Sequence, residues 1–467
     1  MPVILVTDFL IFLLLILASS YVFYVCKRPL LRAPWADVLK NRVGAISFTV
    51  LMFYIFIAVL DSMHFHPRIS SSQEKKVVYS NEITSVFDVI ASHLRTSTEK
   101  TYSAPLSAYQ YSKEAAEVSN ENSHRDYPRL KYGGRHLTNP NKEIVSDVFS
   151  KILKGILIAA VFWIVLLMLI TFFYAHKKSS SFYAQIQQIF FSKQNRSLPT
   201  ILITILVLMI ITCVAVQLSF SYHVFGTDKV GQDVFYQALK SIRTGIIIGT
   251  VTTLVMLPFA ITLGIMAGYF GGRVDDIIQY IYTTLNSVPG VLLIAAAILM
   301  LHVYMGNNPE QFTNITERAD LRLLFLCMIL GITSWTGLCR LLRGESLKLR
   351  ETEYIVAAKA LGVRSFVIIF RHLLPNLMHI VLITIVLDFS GLVLAEAVLS
   401  YVNIGVDPTT HSWGNMINSA RLEMAREPVV WWSLSASLFF MFVLVLFANL
   451  FSDVVRDVFD PRAKKHE

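Results

Sequence analysis

Apolar and polar residues follow one another along this chain in long blocks, and the apolar blocks are long enough to cross a membrane as helices. About twenty consecutive apolar residues span the hydrocarbon core of a bilayer in the α-helical conformation. The predicted spans are residues 9–26, 43–60, 155–175, 198–221, 244–270, 277–304, 323–339, 377–399 and 429–451. The pattern therefore predicts an all-α polytopic membrane protein.

Composition agrees with this prediction. Among the 467 residues, 54% are hydrophobic and only 16% are charged, and the mean hydropathy is +0.56, more apolar than a soluble chain. A net charge of +9 would suggest a nucleic-acid partner in a soluble protein. Here Lys and Arg cluster at the ends of the apolar runs, so we predict no nucleic-acid partner. The four cysteines lie in or beside apolar runs without metal-ligand spacing, which predicts neither a disulfide framework nor a metal site.

The distribution of basic residues predicts the orientation of the spans. The loops 26–42, 176–197, 271–276, 340–375 and 452–467 carry 21 Lys and Arg, whereas the short loops 221–243, 305–321 and 401–428 carry 6. Short cytoplasmic loops are enriched in Lys and Arg. We therefore expect the first group to be cytoplasmic, with the N-terminus outside and the C-terminus in the cytoplasm.

Four segments are predicted along the chain. Residues 1–60 form two N-terminal transmembrane helices, residues 61–150 an extracytoplasmic insert of mixed charge, and residues 151–197 a third extra helix with a cytoplasmic linker. Residues 198–467 form a six-span core. With three added spans before it, the core keeps its expected orientation in the membrane. We therefore predict that the added spans form an appended module. The insert either contacts a partner near the outer face or is a passive surface loop.

The most informative polar segment runs from Arg340 to Asn376, between two apolar runs. Thr352 is a candidate N-cap, and Gly362 is placed where a left-handed residue would end a helix. Four residues at positions i, i+3, i+4 and i+7 form one apolar face between them: Tyr354, Ala357, Ala358 and Leu361. The pattern predicts a short helix that packs against a partner, or alternatively an amphipathic helix that lies on the membrane surface.

The same segment resembles the "EAA" cytoplasmic loop of ABC-importer membrane subunits. The residues that carry the resemblance are Ala357, Ala358, Gly362, His372, Leu374 and Pro375. Further motifs resemble those of the dipeptide and oligopeptide permease family: HVFGTDKVGQDVF (223–235), AGYFGGRVDD (267–276), RHLLPN (371–376), LAEAVLSYVNIGV (394–406) and SWGNM (412–416). The chain departs from the family pattern at Val356, where Glu is usual, and at Gln232, where Arg is usual.

This resemblance covers about residues 198 to 463 and implies a permease subunit of an ATP-driven importer, with peptides as substrate, in the bacterial cytoplasmic (inner) membrane. It implies that loop 340–375 couples to an ATPase subunit. The implied coupling residues are Tyr354, Ala357, Ala358, Leu361, Gly362, His372, Leu374 and Pro375. The implied partners are a second homologous permease, two ATPase subunits that hold ATP and Mg²⁺, an extracytoplasmic binding protein and membrane lipid.

The sequence contains no GxxxxGK[ST] phosphate loop and no HExxH or Gx[ST]xG motif. We therefore predict that the chain is not an enzyme, has no catalytic or metal-ligating residues and binds no cofactor itself. Two carboxylates in the apolar run 377–399, Asp388 and Glu396, are candidates for the translocation pathway, because charge at bilayer depth usually faces a bundle interior or water. For Glu396 a structural hydrogen bond is an equally good interpretation.

Two other classes of function remain open from the residues alone. A secondary transporter or channel would place more ionisable residues at mid-membrane. A membrane-anchored interaction protein that uses the insert would explain residues 61–150 but not the core motifs.

Overall fold

The computed structural model describes residues 2–69, 78–80, 82–115, 125–178, 197–312 and 314–459. Residues 179–196, which belong to the predicted segment 151–197 with its cytoplasmic linker, lie outside these residues. The fold is all-α, as predicted. Its helices are α1 Val6–Lys27, α2 Pro29–Lys40, α3 Arg42–Asp61, α4 Val86–Ile90, α5 Ser92–Thr96, α6 Pro140–Lys178, α7 Ser197–Ser219, α8 Val234–Phe270, α9 Gly272–Ser287, α10 Gly290–Asn307, α11 Ile315–Arg350, α12 Glu353–Ala360, α13 Ser365–Ile368, α14 Leu374–Tyr401, α15 Trp413–Glu423 and α16 Trp432–Phe459.

The strands in the described residues have two residues each: β1 Pro2–Val3, β2 His64–Phe65, β3 Arg68–Ile69, β4 Val78–Tyr79, β5 Thr84–Ser85, β6 Glu114–Ala115 and β7 Arg125–Asp126. Three antiparallel pairs shape the insert: β2 with β5, in register His64 to Ser85, β3 with β4, and β6 with β7. Ser85 caps α4 in a reciprocal arrangement with Asp88, so this helix begins as a capping box.

Nine helices in the described part of the chain are long and apolar enough to cross a membrane. They correspond to the nine predicted spans. One predicted span has a different form, however. The apolar run 277–304 is not one helix, because α9 ends at Ser287 and α10 begins at Gly290, with Val288 and Pro289 in extended conformations between them. Proline disfavours helical geometry in the residue before it, which explains the break. Pro258, by contrast, lies inside the continuous helix α8.

The described residues fall into two compact units, of which the first comprises residues within 35–243 and 411–447. In this unit the insert packs against other parts of the same unit. The Tyr102 hydroxyl is 3.1 Å from Glu423 Oε1, and the Tyr111 hydroxyl donates to the carbonyl of Val429 at 3.1 Å. The Tyr111 ring also meets Trp432 edge to face at 4.8 Å. Two tyrosines of the insert, Tyr102 and Tyr111, therefore form contacts within the chain itself.

The second unit comprises residues within 2–34, 244–410 and 448–459 and contains α1 together with α9 to α14. Helix α1 packs on α11: the backbone N–H of Thr7 donates to Asp320 at 3.2 Å, and Ile11 is buried with residues of α11. Helix α1, the first helix of the predicted appended module, therefore belongs to the same compact unit as most of the predicted six-span core. Helices α8 and α11 also approach closely at Gly268, where the absence of a side chain permits the contact. A Cβ at this position would lie only 2.6 Å from the Arg343 carbonyl oxygen.

Candidate functional site

Helix α12 is held in place by one buried side chain. Ile355 is 1% exposed and packs into an apolar cluster with Ile368, Leu373 and Leu377. Full burial of an isoleucine side chain contributes about 1.5–3 kcal/mol. The helix is therefore packed against the segment that leads into α14 and against the start of α14 itself.

The ends of α12 lie where the sequence predicts them. Thr352 has the extended geometry of an N-cap, although its hydroxyl donates to the Leu349 carbonyl and caps no helical N–H. At the other end Gly362 has φ +74°. Its N–H bonds to the carbonyl of Lys359 at 3.1 Å and that of Val363 to Ala358 at 3.1 Å, which is the Schellman pattern. A side chain at Gly362 would meet open space, so a substitution there costs the left-handed conformation alone, about 1 kcal/mol.

The predicted apolar face divides into two parts. Leu361 is 83% exposed and Tyr354 is 45% exposed, and Ala357 is exposed as well. Ala358 is half-buried and packs against the apolar cluster. Three of the four residues thus point away from the chain's own core, as a surface available to a partner requires.

The second half of the motif forms a π-helical turn over Ile369–Leu373. The N–H of Leu374 bonds to the carbonyl of Ile369, five residues back, and Pro375 follows without an N–H of its own. His372 and Leu374 are half-buried and Pro375 is exposed. The Leu-Pro step therefore marks the point where the loop becomes the membrane span α14.

A polar contact connects the two halves of the motif. Asn376 Nδ2 donates to the Tyr354 hydroxyl at 3.1 Å and to the His372 carbonyl at 2.8 Å. The rings of Tyr354 and His372 lie 6.4 Å apart. Sequence reasoning assigned no role to Asn376 or Ile355. The spacing of Asn376, four residues after His372, is the signal that could have shown its hydrogen bond to the His372 carbonyl, because an Asn side chain can bond to the backbone carbonyl four residues before it.

Glu396 and Asp388 lie in different surroundings on α14. Glu396 is 2% exposed, and the Ser400 hydroxyl donates to its Oε1 at 2.7 Å. This contact supports the structural interpretation of Glu396. Asp388 is half-buried, and none of the residues that the structure describes forms a hydrogen bond to its carboxylate. Leu387, Gly391 and Leu394 beside it on α14 are exposed, so Asp388 lies at the edge of an open face.

A second polar cluster, in the first unit, was not predicted. The Glu99 carboxylate accepts hydrogen bonds from the backbone N–H groups of Lys131, Tyr132 and Gly133 at 2.8, 2.7 and 3.3 Å. His223 Nδ1 is 2.7 Å from Asp233 Oδ2, and its Nε2 is 3.5 Å from Glu99 Oε1. Glu99 of the insert therefore contacts His223 at the start of the HVFGTDKVGQDVF motif, and the backbone N–H of Glu99 donates to the carbonyl of Gly231 further along it at 2.9 Å.

The ionisation of this cluster follows from its contacts. Burial alone would raise the pKa of Glu99, but His223 and the three backbone donors lower it to about 2. Burial alone would lower the pKa of His223, but Asp233 and Glu99 raise it to about 9. At neutral pH the cluster thus contains an imidazolium between carboxylates.

The described residues thus contain the long apolar helices of a multi-pass membrane protein, with an exposed short helix packed against the start of one candidate span. The family model for "Binding-protein-dependent transport system inner membrane component" matches residues 260–465. The chain belongs to this family of ABC-importer permeases.

Similar curated proteins are permeases too. A dipeptide transport system permease protein from Lactococcus lactis is 31% identical over 243 residues, 52% of this chain and 65% of the relative. A dipeptide permease from Bacillus subtilis is 30% identical over 243 residues and 70% of its length. A glutathione transport system permease protein from Pectobacterium atrosepticum is 31% identical over 244 residues and 74% of its length. The chain thus spans about two thirds to three quarters of these relatives.

Proposed function

We propose that this chain is one of two permease subunits of an ATP-driven peptide importer, and that α12 docks into a separate ATPase subunit. The observation that carries the proposal is the arrangement of α12, which is anchored by Ile355 and presents Tyr354, Ala357 and Leu361 outward. The names of the relatives, for dipeptide, oligopeptide and glutathione transport, support peptides as substrate.

In this proposal the chain transmits force and binds no nucleotide. ATP and Mg²⁺ are held by two ATPase subunits, and the Lys and Arg count supports a position of loop 340–375 on the same cytoplasmic side. Converting a two-state pathway from 1:99 to 99:1 takes about 5.5 kcal/mol of differential binding. The links from α12 to α14, through Ile355 and through Asn376 with Tyr354, are the contacts by which this energy would reach the pathway.

The remaining partners follow from the same assignment. A second permease completes the pathway, and an extracytoplasmic binding protein delivers the peptide on the side where the insert lies. The protein would be a multi-pass component of the bacterial inner membrane, with its N-terminus outside and its C-terminus in the cytoplasm. The role of the insert in this arrangement is to extend the outer face next to the HVFGTDKVGQDVF motif.

Purification of the complex from its native membrane tests the assignment. We expect a tagged chain to co-purify with a second permease and with ATPase subunits, and we expect Mg-dependent ATP hydrolysis only when the ATPase subunits are present. Peptide with its binding protein should stimulate that hydrolysis. Transport without any ATPase partner, or hydrolysis by the lone chain, would contradict the proposal.

Asp388 offers a separate test of the pathway. Asp388→Asn is nearly isosteric and removes only the charge, so we expect normal assembly and peptide uptake reduced by about tenfold, since a charge at bilayer depth is retained for a function. Uptake by the reconstituted complex is the measurement. Glu396→Gln serves as the matched control, for which lower thermal stability is expected because Glu396 is buried against Ser400. Unchanged uptake by Asp388→Asn would assign Asp388 to packing.

A further inference from the structure

Helix α2 lies at a membrane surface, because its length and its neighbours in the chain leave no other place for it. It has 12 residues and extends about 18 Å, whereas the hydrocarbon core is about 30 Å thick. Only Arg28 separates α2 from the candidate span α1, and only Asn41 separates it from the candidate span α3. The turn between α1 and α2 is therefore where α1 leaves the hydrocarbon.

Three exposed cations surround this turn. Lys27 ends α1, Arg28 follows it, and the backbone N–H of Arg32 donates to the carbonyl of Arg28 at 3.1 Å. The nearest carboxylate in the sequence, Asp37, already pairs with Lys40 at 2.8 Å. Among the residues that the structure describes, no carboxylate forms an ion pair with the three cations. The turn is thus a concentration of positive charge without a counter-charge from the described part of the chain.

Aromatic rings hold two of these cations close to α1. Lys27 Nζ lies 4.3 Å from the centre of the Phe23 ring, and the guanidinium carbon of Arg28 lies 4.6 Å from the centre of the Tyr24 ring. Both pairs have i, i+4 spacing, and both distances are within the range of about 6 Å for a cation–π interaction. The two charges are therefore kept beside the last turn of α1.

The helix next to the cations is itself uncovered by the described residues. Tyr21, Val22, Phe23 and Tyr24 are all exposed, and the next residue, Val25, is buried. A helix has about 3.6 residues per turn, so four consecutive exposed residues leave most sides of one turn open. A collar of exposed apolar and aromatic side chains, residues 21–24, therefore adjoins the three cations.

We propose that the collar and the three cations bind one anionic phospholipid, with its phosphate at Lys27, Arg28 and Arg32 and an acyl chain along residues 21–24. Lys and Arg form charge-assisted hydrogen bonds with phosphate, and Arg can offer two parallel N–H donors. A soluble anion would contact the cations alone, and an uncharged lipid would contact the collar alone, whereas an anionic phospholipid contacts both.

The expected orientation agrees with this ligand. The Lys and Arg count predicts that the turn between α1 and α2 is cytoplasmic, and anionic lipids give the cytoplasmic leaflet a negative surface potential. Basic residues directly beyond a membrane span attract such lipids. The lipid site goes beyond the proposed function, because binding of the lipid requires no transport activity.

Lipid titration of the delipidated complex that contains the full chain tests the proposal, with native mass spectrometry to count the bound molecules. Phosphatidylglycerol is compared with phosphatidylcholine of the same acyl chains. Each Lys or Arg near an anionic lipid contributes about fivefold in affinity, so loss of three should weaken the site about a hundredfold. In the triple variant Lys27→Gln, Arg28→Gln and Arg32→Gln, we expect one phosphatidylglycerol fewer per copy of this chain at concentrations that saturate the parent, and unchanged binding of phosphatidylcholine.

Two further variants separate the site from net charge and from misfolding. The triple variant Lys113→Gln, Lys131→Gln and Arg135→Gln removes the same charge from three exposed positions of the insert and should retain the lipid. Exchange of Lys for Arg and of Arg for Lys at the three site positions keeps the charge and should retain the lipid as well. In the unmodified complex, higher ionic strength should weaken the binding of phosphatidylglycerol and not that of phosphatidylcholine.

Four results would overturn the proposal. Equal binding of both lipids by the parent would show that the turn holds no anionic lipid, as would retention of all phosphatidylglycerol by the triple variant of the site. Equal loss of lipid in the insert variant would attribute binding to net charge. Loss in the charge-preserving variant would attribute it to altered structure. Displacement by inorganic phosphate beyond that caused by chloride at the same ionic strength would assign the cations to a free anion.

Discussion

Leu361→Glu should abolish most of the peptide-stimulated ATP hydrolysis of the complex while leaving this chain folded. Leu361 is 83% exposed, so the substitution removes little packing within the chain. When α12 docks, however, the new carboxylate would be buried without a partner, which costs at least about 1–3 kcal/mol. Because about 1.4 kcal/mol corresponds to a tenfold change, stimulated hydrolysis should fall about tenfold or more. The rate of ATP hydrolysis with and without peptide and binding protein is the measurement.

The same helix supplies a matched control. Val356 is 53% exposed and stands at the position where the resembling family usually has Glu. Val356→Glu adds the same charge to the same helix, yet should retain coupling. If both variants lose stimulation equally, charge on α12 in general is harmful and the docking face is not defined by Leu361. If Leu361→Glu is fully stimulated, α12 is not the docking element.

The loop could be predicted from the sequence because its signals are local. The i, i+3, i+4, i+7 spacing, the extended Thr352 and the left-handed Gly362 are each fixed by a few neighbouring residues, and the structure has the helix between those two. What local spacing could not show is which side of α12 faces inward. Of the four predicted apolar positions only Ala358 packs inward, and the anchor is Ile355, which lies outside that set, because the packing of α13 and α14 determines the buried side.

The long-range contacts were not predictable in this way. Thr7 meets Asp320 from 313 positions away, and Tyr102 meets Glu423 from 321. No periodicity within α1 or within the insert carries information about such partners. The run 277–304 was predicted as one span, and although Pro289 permits a bend within it, the complete break at Val288 and Pro289 did not follow from the sequence. Pro258 gives the same local signal inside an intact helix, so packing decides between a break and continuity.

Glu99→Ala should destabilise the attachment of the insert by about 3–5 kcal/mol, the usual cost of removing one partner from a buried ion pair. Glu99 is 7% exposed and is the acceptor for three backbone N–H groups. Without it the imidazolium of His223 loses a charge partner, and the amides of residues 131–133 lose their acceptor. Hydrogen exchange at these amides should accelerate at least a hundredfold, since each 1.4 kcal/mol gives about a tenfold change.

A control within the insert separates this effect from any loss of a carboxylate. Glu114 forms a surface ion pair with Lys100 at 2.8 Å, and the lysine is 70% exposed. Such pairs contribute about 0–1 kcal/mol. Glu114→Ala should therefore leave the exchange at residues 131–133 nearly unchanged, and equal acceleration in both variants would show that the insert responds to net charge and not to the Glu99 contacts.

The pH dependence of the same exchange tests the ionisation of the cluster. His223, whose pKa rises from 6.5 to about 9, stabilises the folded state fully below 6.5, and this contribution is lost as the pH rises through about 9. Glu99, whose pKa falls from 4.5 to about 2, stabilises it above 4.5, and this contribution is lost as the pH falls toward 2. Protection at residues 131–133, corrected for the intrinsic pH dependence of exchange, should therefore be greatest between 4.5 and 6.5. In Glu99→Gln, which keeps an acceptor but removes the charge, the alkaline decline should be smaller and should end at a lower pH, because the folded-state pKa of His223 is then raised less. A decline of the same size that ends at the same pH in both proteins would show that Glu99 does not hold the proton on His223.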